Sequence, residues 1–258
     1  MQWLTIFNKE MLEYWRNFKW IWVPLVFILI AIMDPITTYY LPVILDAVGG
    51  LPEGSEIPMP ELSAVDALMM SFTELSMFGV LVIVLSSMGL IAGERKSGVA
   101  ELVLVKPVHY FTYISSKWAA TLVLVWGSLF IGMFVSWYYV NLLYGDLSFV
   151  ALLQAVGFYG LWLTLVVTVT TFYNTLFRGP GLVAFVSLAT IIAMSITNMI
   201  LKHILTWFPN NLSGYIGDML VNGEISGDLW GTAMITLVVI IVVLTASYFT
   251  FRGKEMAE

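Results

Sequence analysis

The chain has 258 residues, of which 60% are hydrophobic and only 11% charged, with 11 basic against 17 acidic residues and a net charge of −6. Long apolar runs in such a composition exclude a soluble domain and place the chain among integral membrane proteins, where each crossing needs roughly 20 apolar residues. There is no cysteine, which excludes a disulfide framework, a thiolate metal site and a cysteine nucleophile.

Residues 2–18, "QWLTIFNKEMLEYWRNF", come first. No basic region leads directly into a short apolar core with a small-residue cleavage site, so no removable signal peptide is expected and the first crossing should do the targeting. At about 3.6 residues per turn, Trp3, Phe7, Met11, Tyr14 and Phe18 share one face, and Lys9, Glu10, Glu13, Arg16 and Asn17 gather on the other. The aromatic stripe would be exposed on a solvated helix, so the pattern predicts an interfacial helix within residues 1–19.

Six crossings are expected after it, at about 20–40, 72–92, 118–142, 149–177, 182–201 and 230–251. Pro24 and Pro35 should bend or break the first, because proline removes an intrahelical hydrogen bond. "FRGPG" at 177–181 reads as a tight turn. Residues 41–71 read as an outer loop rich in Gly, Pro and acid. Residues 203–229 are too apolar for a free loop yet are interrupted by Pro209, Asn210 and Asn211, which predicts two short helices forming a re-entrant outer hairpin.

Charge placement orients these elements. With the N-terminus inside, every basic residue except Lys202 lies on the inner side: Lys9, Arg16, Lys19, Arg95, Lys96, Lys106, Lys117, Arg178, Arg252 and Lys254. The positive-inside rule therefore predicts that both termini are cytoplasmic. Most acidic residues gather at the outer boundary, among them Asp34, Asp46, Glu74, Asp146 and Asp218.

Chemical motifs are scarce. No Gly-Lys-Ser/Thr phosphate loop occurs, and His109 and His203 fall on opposite sides of the membrane, so the chain is expected to bind no nucleotide, metal or other cofactor. The expected spans three to six hold no Asp, Glu, Lys or Arg, which disfavours an ion-coupled carrier. Asp34 and Glu74 alone approach the hydrocarbon, near its outer edge, and read as residues of an outer mouth or gate. Any energy for transport must come from another chain.

That leaves residues 93–117, "GERKSGVAELVLVKPVHYFTYISSK". Glu94, Arg95 and Lys96 mark where the second span leaves the membrane. Val99, Leu102 and Val103 then recur at helical spacing with Glu101 opposite, and Pro107 closes the run. This predicts a short amphipathic helix whose apolar stripe is covered by head groups, by the N-terminal helix or by a groove on a partner.

The order Glu94-Arg95, Gly98, apolar run, Pro107 and Lys117 resembles the first cytoplasmic loop of type-2 ABC transporter permeases, the membrane subunits of bacterial ATP-binding cassette exporters. "FNKEMLEYWRN" at 7–17, the six-span layout, the proline-broken segment before the last span and the closing "FRGKE" extend the likeness over nearly the whole chain. Val99 departs from it, since many members carry threonine there. The resemblance implies an all-α integral membrane permease in the bacterial cell membrane, made of a single domain. It also implies pairing with a second copy or a related permease. Two copies of a cytoplasmic ABC ATPase would bind ATP and Mg, and no nucleic acid is involved. Glu94, Arg95, Gly98, Val99, Glu101, Leu102 and Pro107 would belong to the coupling helix and its ATPase contact. Lys9, Glu10, Glu13 and Arg16 would tie it to an elbow helix, and the segment from Pro209 and Asn210 to Met219 would guard the outer exit. The competing expectation is a multi-pass anchor or assembly factor that recruits a cytoplasmic partner without transport.

Overall fold

A polypeptide in hydrocarbon must satisfy its backbone polar groups internally, and helices do so within each segment. In the computed structural model, which describes residues 1–47, 62–98 and 108–255, every regular element is helical. Helix α1 (Gln2–Arg16) is followed by α2 (Lys19–Ala47). The second crossing is built from α3 (Ala64–Glu74), a π-turn at Leu75–Gly79, α4 (Val80–Ser87) and α5 (Ala92–Lys96). Then come α6 (Tyr110–Leu143), α7 (Phe149–Leu176), α8 (Pro180–Leu201), α9 (Leu212–Asn222) and α10 (Gly227–Glu255). Six helices are long and apolar enough to cross a membrane: Lys19–Leu45, Ala64–Lys96, Tyr110–Leu143, Phe149–Leu176, Pro180–Leu201 and Gly227–Lys254.

Three boundaries differ from the sequence expectation. The first crossing runs unbroken through Pro24, Pro35 and Pro42. Neighbouring helices re-satisfy freed carbonyls here, as when the Ser71 hydroxyl donates at 2.6 Å to the Ala31 carbonyl that Pro35 leaves open. The third crossing begins at Tyr110 rather than near 118, with the His109 ring accepting from the Phe111 N–H at 3.3 Å as its cap. Helix therefore covers both ends of the expected 93–117 loop. What remains is 97–109, and the amphipathic helix expected at 99–107, with Val99, Glu101, Leu102 and Pro107, lies outside the described residues. Most of the expected 41–71 loop is likewise either helix or undescribed.

The segment before the last crossing, expected as a re-entrant hairpin, holds one helix instead of two. After Leu201 the chain turns, makes a 3-10 turn at Pro209–Asn211 and enters α9, which Gly223 ends at φ 74°. The Asn211 amide donates to the Leu205 and Thr206 carbonyls at 2.8 and 3.1 Å. One side chain thus satisfies turn backbone that a first helix would otherwise have had to pair.

The fourth crossing, α7, is the most deeply buried of the six. Two tryptophans of α6 are stitched to it by antiparallel pairing: Trp118 donates to Thr168 and Trp126 to Thr164, each at 3.0 Å. Each threonine in turn donates to the carbonyl one turn back, at 2.7 Å, so indole and hydroxyl are both satisfied inside an apolar core. Gly160 permits the approach, since a Cβ there would sit 2.4 Å from the Trp126 ring. With six crossings, α1 and the last turns of α10 meet at one end: Phe251 stacks on Tyr113, at 5.8 Å between ring centroids, beside the start of α6.

Candidate functional site

The end that carries both termini is built around a buried lysine. Because α6 starts at Tyr110, Lys117 falls two turns inside the helix, where its side chain is 1% exposed. Its ammonium lies 2.6 Å from Glu10 Oε1 and 3.0 Å from Glu94 Oε1. Glu94 also pairs with Lys9 and accepts from the Tyr113 hydroxyl at 2.5 Å. Three elements, α1, the end of the second crossing and the start of the third, are thereby tied through one carboxylate. Taking an ion out of water costs several kcal/mol, and an offset requires close pairing plus further hydrogen bonds. Lys117 with two carboxylates, and Glu94 with two lysines and a phenol, meet that requirement.

The sequence pattern put Glu10 on the solvated face of α1 and Phe18 on its apolar stripe; the structure reverses both. Glu10 is 2% exposed, facing Lys117, while Phe18 is exposed in the turn after the helix at φ 56°. Helical periodicity alone marks a carboxylate as outward, because it does not register the cation waiting on another helix. Tyr14, one turn on, is buried with its hydroxyl 2.8 Å from that of Thr121, and burial above all pushes its phenol upward. Burial opposes the charge of Lys9, but the Glu94 and Glu10 carboxylates outweigh it and hold its pKa above the ordinary lysine value. Glu13 lies 3.5 Å from Lys9, and Arg16 is exposed one turn beyond.

Arg95 takes the opposite side of α5. Its guanidinium donates to the Thr175 carbonyl at 3.1 Å and lies over the Phe251 ring. Gly98, at φ 75°, turns the chain out of that helix in the left-handed conformation glycine tolerates. Sequence reasoning missed Asn174, which is fully buried on α7. It accepts from the Ile91 and Ala92 N–H groups at 3.1 Å and donates to the Ser87 and Thr170 carbonyls at 3.1 and 2.9 Å. The Ile91 and Ala92 N–H groups and the Ser87 carbonyl flank the interruption between α4 and α5, three residues before Glu94, whereas the Thr170 carbonyl belongs to α7 itself. Lys117 escaped too, as charges near a span edge read as topology signals. The available clue was His109, whose ring caps the helix start.

Glu10, Glu13 and Glu94 place carboxylate oxygens within 4.8 Å of one another. The ammonium groups of Lys9 and Lys117 already lie among them, so the donor set suits two lysines rather than a metal cation.

The far end is assembled from other chemistry. Asp34 and Glu74 come within hydrogen-bond reach of each other across the first two crossings. Immediately after Glu74 the π-turn Leu75–Gly79 widens the helix, a feature often found at functional sites. Beyond it Ser76, Tyr159, Trp162, Ser195, Asn198 and Asn210 surround a cavity of about 250 Å³, with Pro209 in its wall. The structure therefore separates the four outer residues into a carboxyl pair, Asp34 with Glu74, and a chamber wall, Pro209 with Asn210.

No protein-family model matches the chain. It is similar to YxlG of Bacillus subtilis (strain 168), described as an uncharacterized transmembrane protein, with 29% identity over 252 residues covering 98% of this chain and 97% of that protein. With six apolar crossing helices, this decides the class. The chain is a multi-pass membrane protein. The matched stretch covers almost the full length of both chains, so it includes the segments that form the ion-pair end and the far chamber.

Proposed function

We propose that this chain is the permease subunit of an ABC exporter, powered by a separate cytoplasmic ATPase. The observation that carries the reading is the grip on Glu94: Lys9 of α1, Lys117 and Tyr113 of the third crossing all hold a residue four positions before Gly98, where the 97–109 segment begins. A load applied to that segment would reach the elbow helix α1 and two crossings through one carboxylate, and through Asn174 and Arg95 the fourth crossing as well.

On this reading both termini are cytoplasmic, and the 97–109 segment seats in a groove of the ATPase through Val99, Glu101 and Leu102. Two ATPase copies, each with ATP and Mg, serve a pair of permeases in the bacterial cell membrane. ATP-driven closure of the ATPases shifts the permeases between two arrangements by differential binding. The outer residues Pro209 and Asn210 close the exit.

The test is ATP hydrolysis by the ATPase that co-purifies with the full chain, in membranes, comparing wild type with Glu94→Ala. Hydrolysis coupled to substrate should fall at least tenfold while the ATPase stays bound. Unchanged coupled hydrolysis would leave an anchor that recruits its partner without transport.

A further inference from the structure

Beside the buried ion pairs, one lysine is held without a partner of opposite charge. Lys19 opens the first crossing, a position from which a lysine ordinarily extends its side chain to water. Here it reaches the second crossing instead: its ammonium donates to the Ser86 carbonyl at 2.8 Å and lies 4.9 Å from the centre of the Tyr14 ring. The Ser86 carbonyl is open because the Leu90 N–H bonds to Ser87, at 3.1 Å. An ammonium has three donors, and among the described residues Lys19 makes no ion pair. Glu13 and Glu10 attract it only from beyond ion-pair distance.

Lys19, Ser86 and Tyr14 all line one cavity of about 420 Å³, so the ammonium stands in its wall. Glu10 and Glu94 share that wall but are already held by Lys117 and Lys9. Glu13, also in the wall and half-exposed, has only Lys9 at 3.5 Å, an ammonium that lies nearer to Glu10 and Glu94. The cavity therefore presents one under-paired cation and one under-paired carboxylate. A third feature favours phosphate: α8 starts at Pro180 in the same wall, with no side-chain cap on its N-terminus. Trp22 and Leu85 complete the lining and are exposed on crossing helices, where hydrocarbon borders them.

We infer that this cavity binds the head group of an aminophospholipid, a phosphate ester carrying a primary ammonium, with the phosphate on Lys19, the ammonium on Glu13 and the chains passing Trp22 into the bilayer. The pairing of signs decides the class. A head group without an ammonium would set its phosphate among three glutamates, Glu10, Glu13 and Glu94, and leave Glu13 unanswered. A choline head has the positive charge but no N–H to donate. The site goes beyond the export reading and requires no ATPase.

The test titrates the full chain in detergent micelles with phosphatidylethanolamine, phosphatidylcholine and phosphatidylglycerol of identical chains, counting bound lipid by native mass spectrometry. Phosphatidylethanolamine should bind at least about fivefold more tightly than either of the others. Glu13→Gln, at a half-exposed position that tolerates the change, should erase the advantage over phosphatidylcholine. Lys19→Gln, which keeps a donor for the Ser86 carbonyl, should weaken all three lipids. Glycerophosphoethanolamine, the same head group without chains, should not displace the lipid even in large excess. Equal binding of the three lipids, or a preference that survives Glu13→Gln, would overturn the inference, and displacement by glycerophosphoethanolamine would assign the cavity to a soluble phosphate ester instead. Because no ATPase is present, this test and the Glu94 test can fail separately.

Discussion

At the end that carries both termini, a charged group is buried among the polar atoms: Lys117 at 1% exposure sits between Glu10 and Glu94, with Lys9 closing the group. At the far end the buried polar atoms are amides and hydroxyls, chained through Asn198, Asn211, Asn210 and Ser195, and two acceptors stay unpaired. Full pairing of charges fixes one arrangement of three elements, because parting any pair strands an ion in a low dielectric. A neutral network with spare acceptors holds its helices more weakly and can exchange partners. The difference suits a molecule gripped rigidly at one end and opened at the other.

Substitutions can break this contrast, and the largest effect should come from Lys117→Met. It leaves Glu10, at 2% exposure, with only the half-exposed Lys9 as a partner and should cost about 3 kcal/mol of stability, read by unfolding in mixed micelles. Adding Glu10→Gln should recover much of the loss, whereas a loss that stays the same in the double variant would mean that packing rather than charge is at work. Asn174→Leu follows, at about 3 kcal/mol, because the Ile91 and Ala92 N–H groups lose their acceptor at the interruption before Glu94. Gly160→Ala drives a methyl into the Trp126 ring and should cost about 2 kcal/mol, with the tryptophan environment followed by near-ultraviolet dichroism.

At the far end, Tyr159→Phe removes the hydroxyl 2.9 Å from that of Ser76 and should cost only about 1 kcal/mol. The smallest effect belongs to Lys9→Ala, below about 1 kcal/mol, since Lys9 is 46% exposed and solvent screens its pairs. Its pKa is raised in the folded state, so its contribution is complete below the ordinary lysine value and is lost only as pH climbs through the higher folded one. The stability difference between wild type and Lys9→Ala should therefore be flat from about pH 6 to about pH 9, and a change within that window would contradict the pairing.

The six crossings were legible because apolar runs of sufficient length have one solution in lipid. Their ends were less so. The unbroken first helix is helped by Ser71 reaching, from another segment, the Ala31 carbonyl that Pro35 leaves open, and the start of α6 was hidden by treating Lys117 as a surface charge. The resemblance implied that Glu94 and Arg95 meet Lys9, Glu10, Glu13 or Arg16, but what completes the group, Lys117 and Tyr113, required knowing that the third helix begins two turns earlier. Asn174 had no local signal, because its role is to satisfy a helix interruption some 80 residues away in sequence. The far end was half visible: Asn210 stood out beside a proline, while the orphaned oxygens follow from hydrogen bonds among four side chains.

The chain contains no cysteine, so a single Ser213→Cys, on the wall of the far chamber, reports that end alone. In proteoliposomes with the ATPase of the proposed exporter, its labelling rate by a membrane-impermeant maleimide should change several-fold between nucleotide-free and ATP-trapped states, and Glu94→Ala should abolish the change. A labelling rate indifferent to nucleotide, or equally responsive when Glu94 is removed, would contradict the claim that the charged end drives the far one.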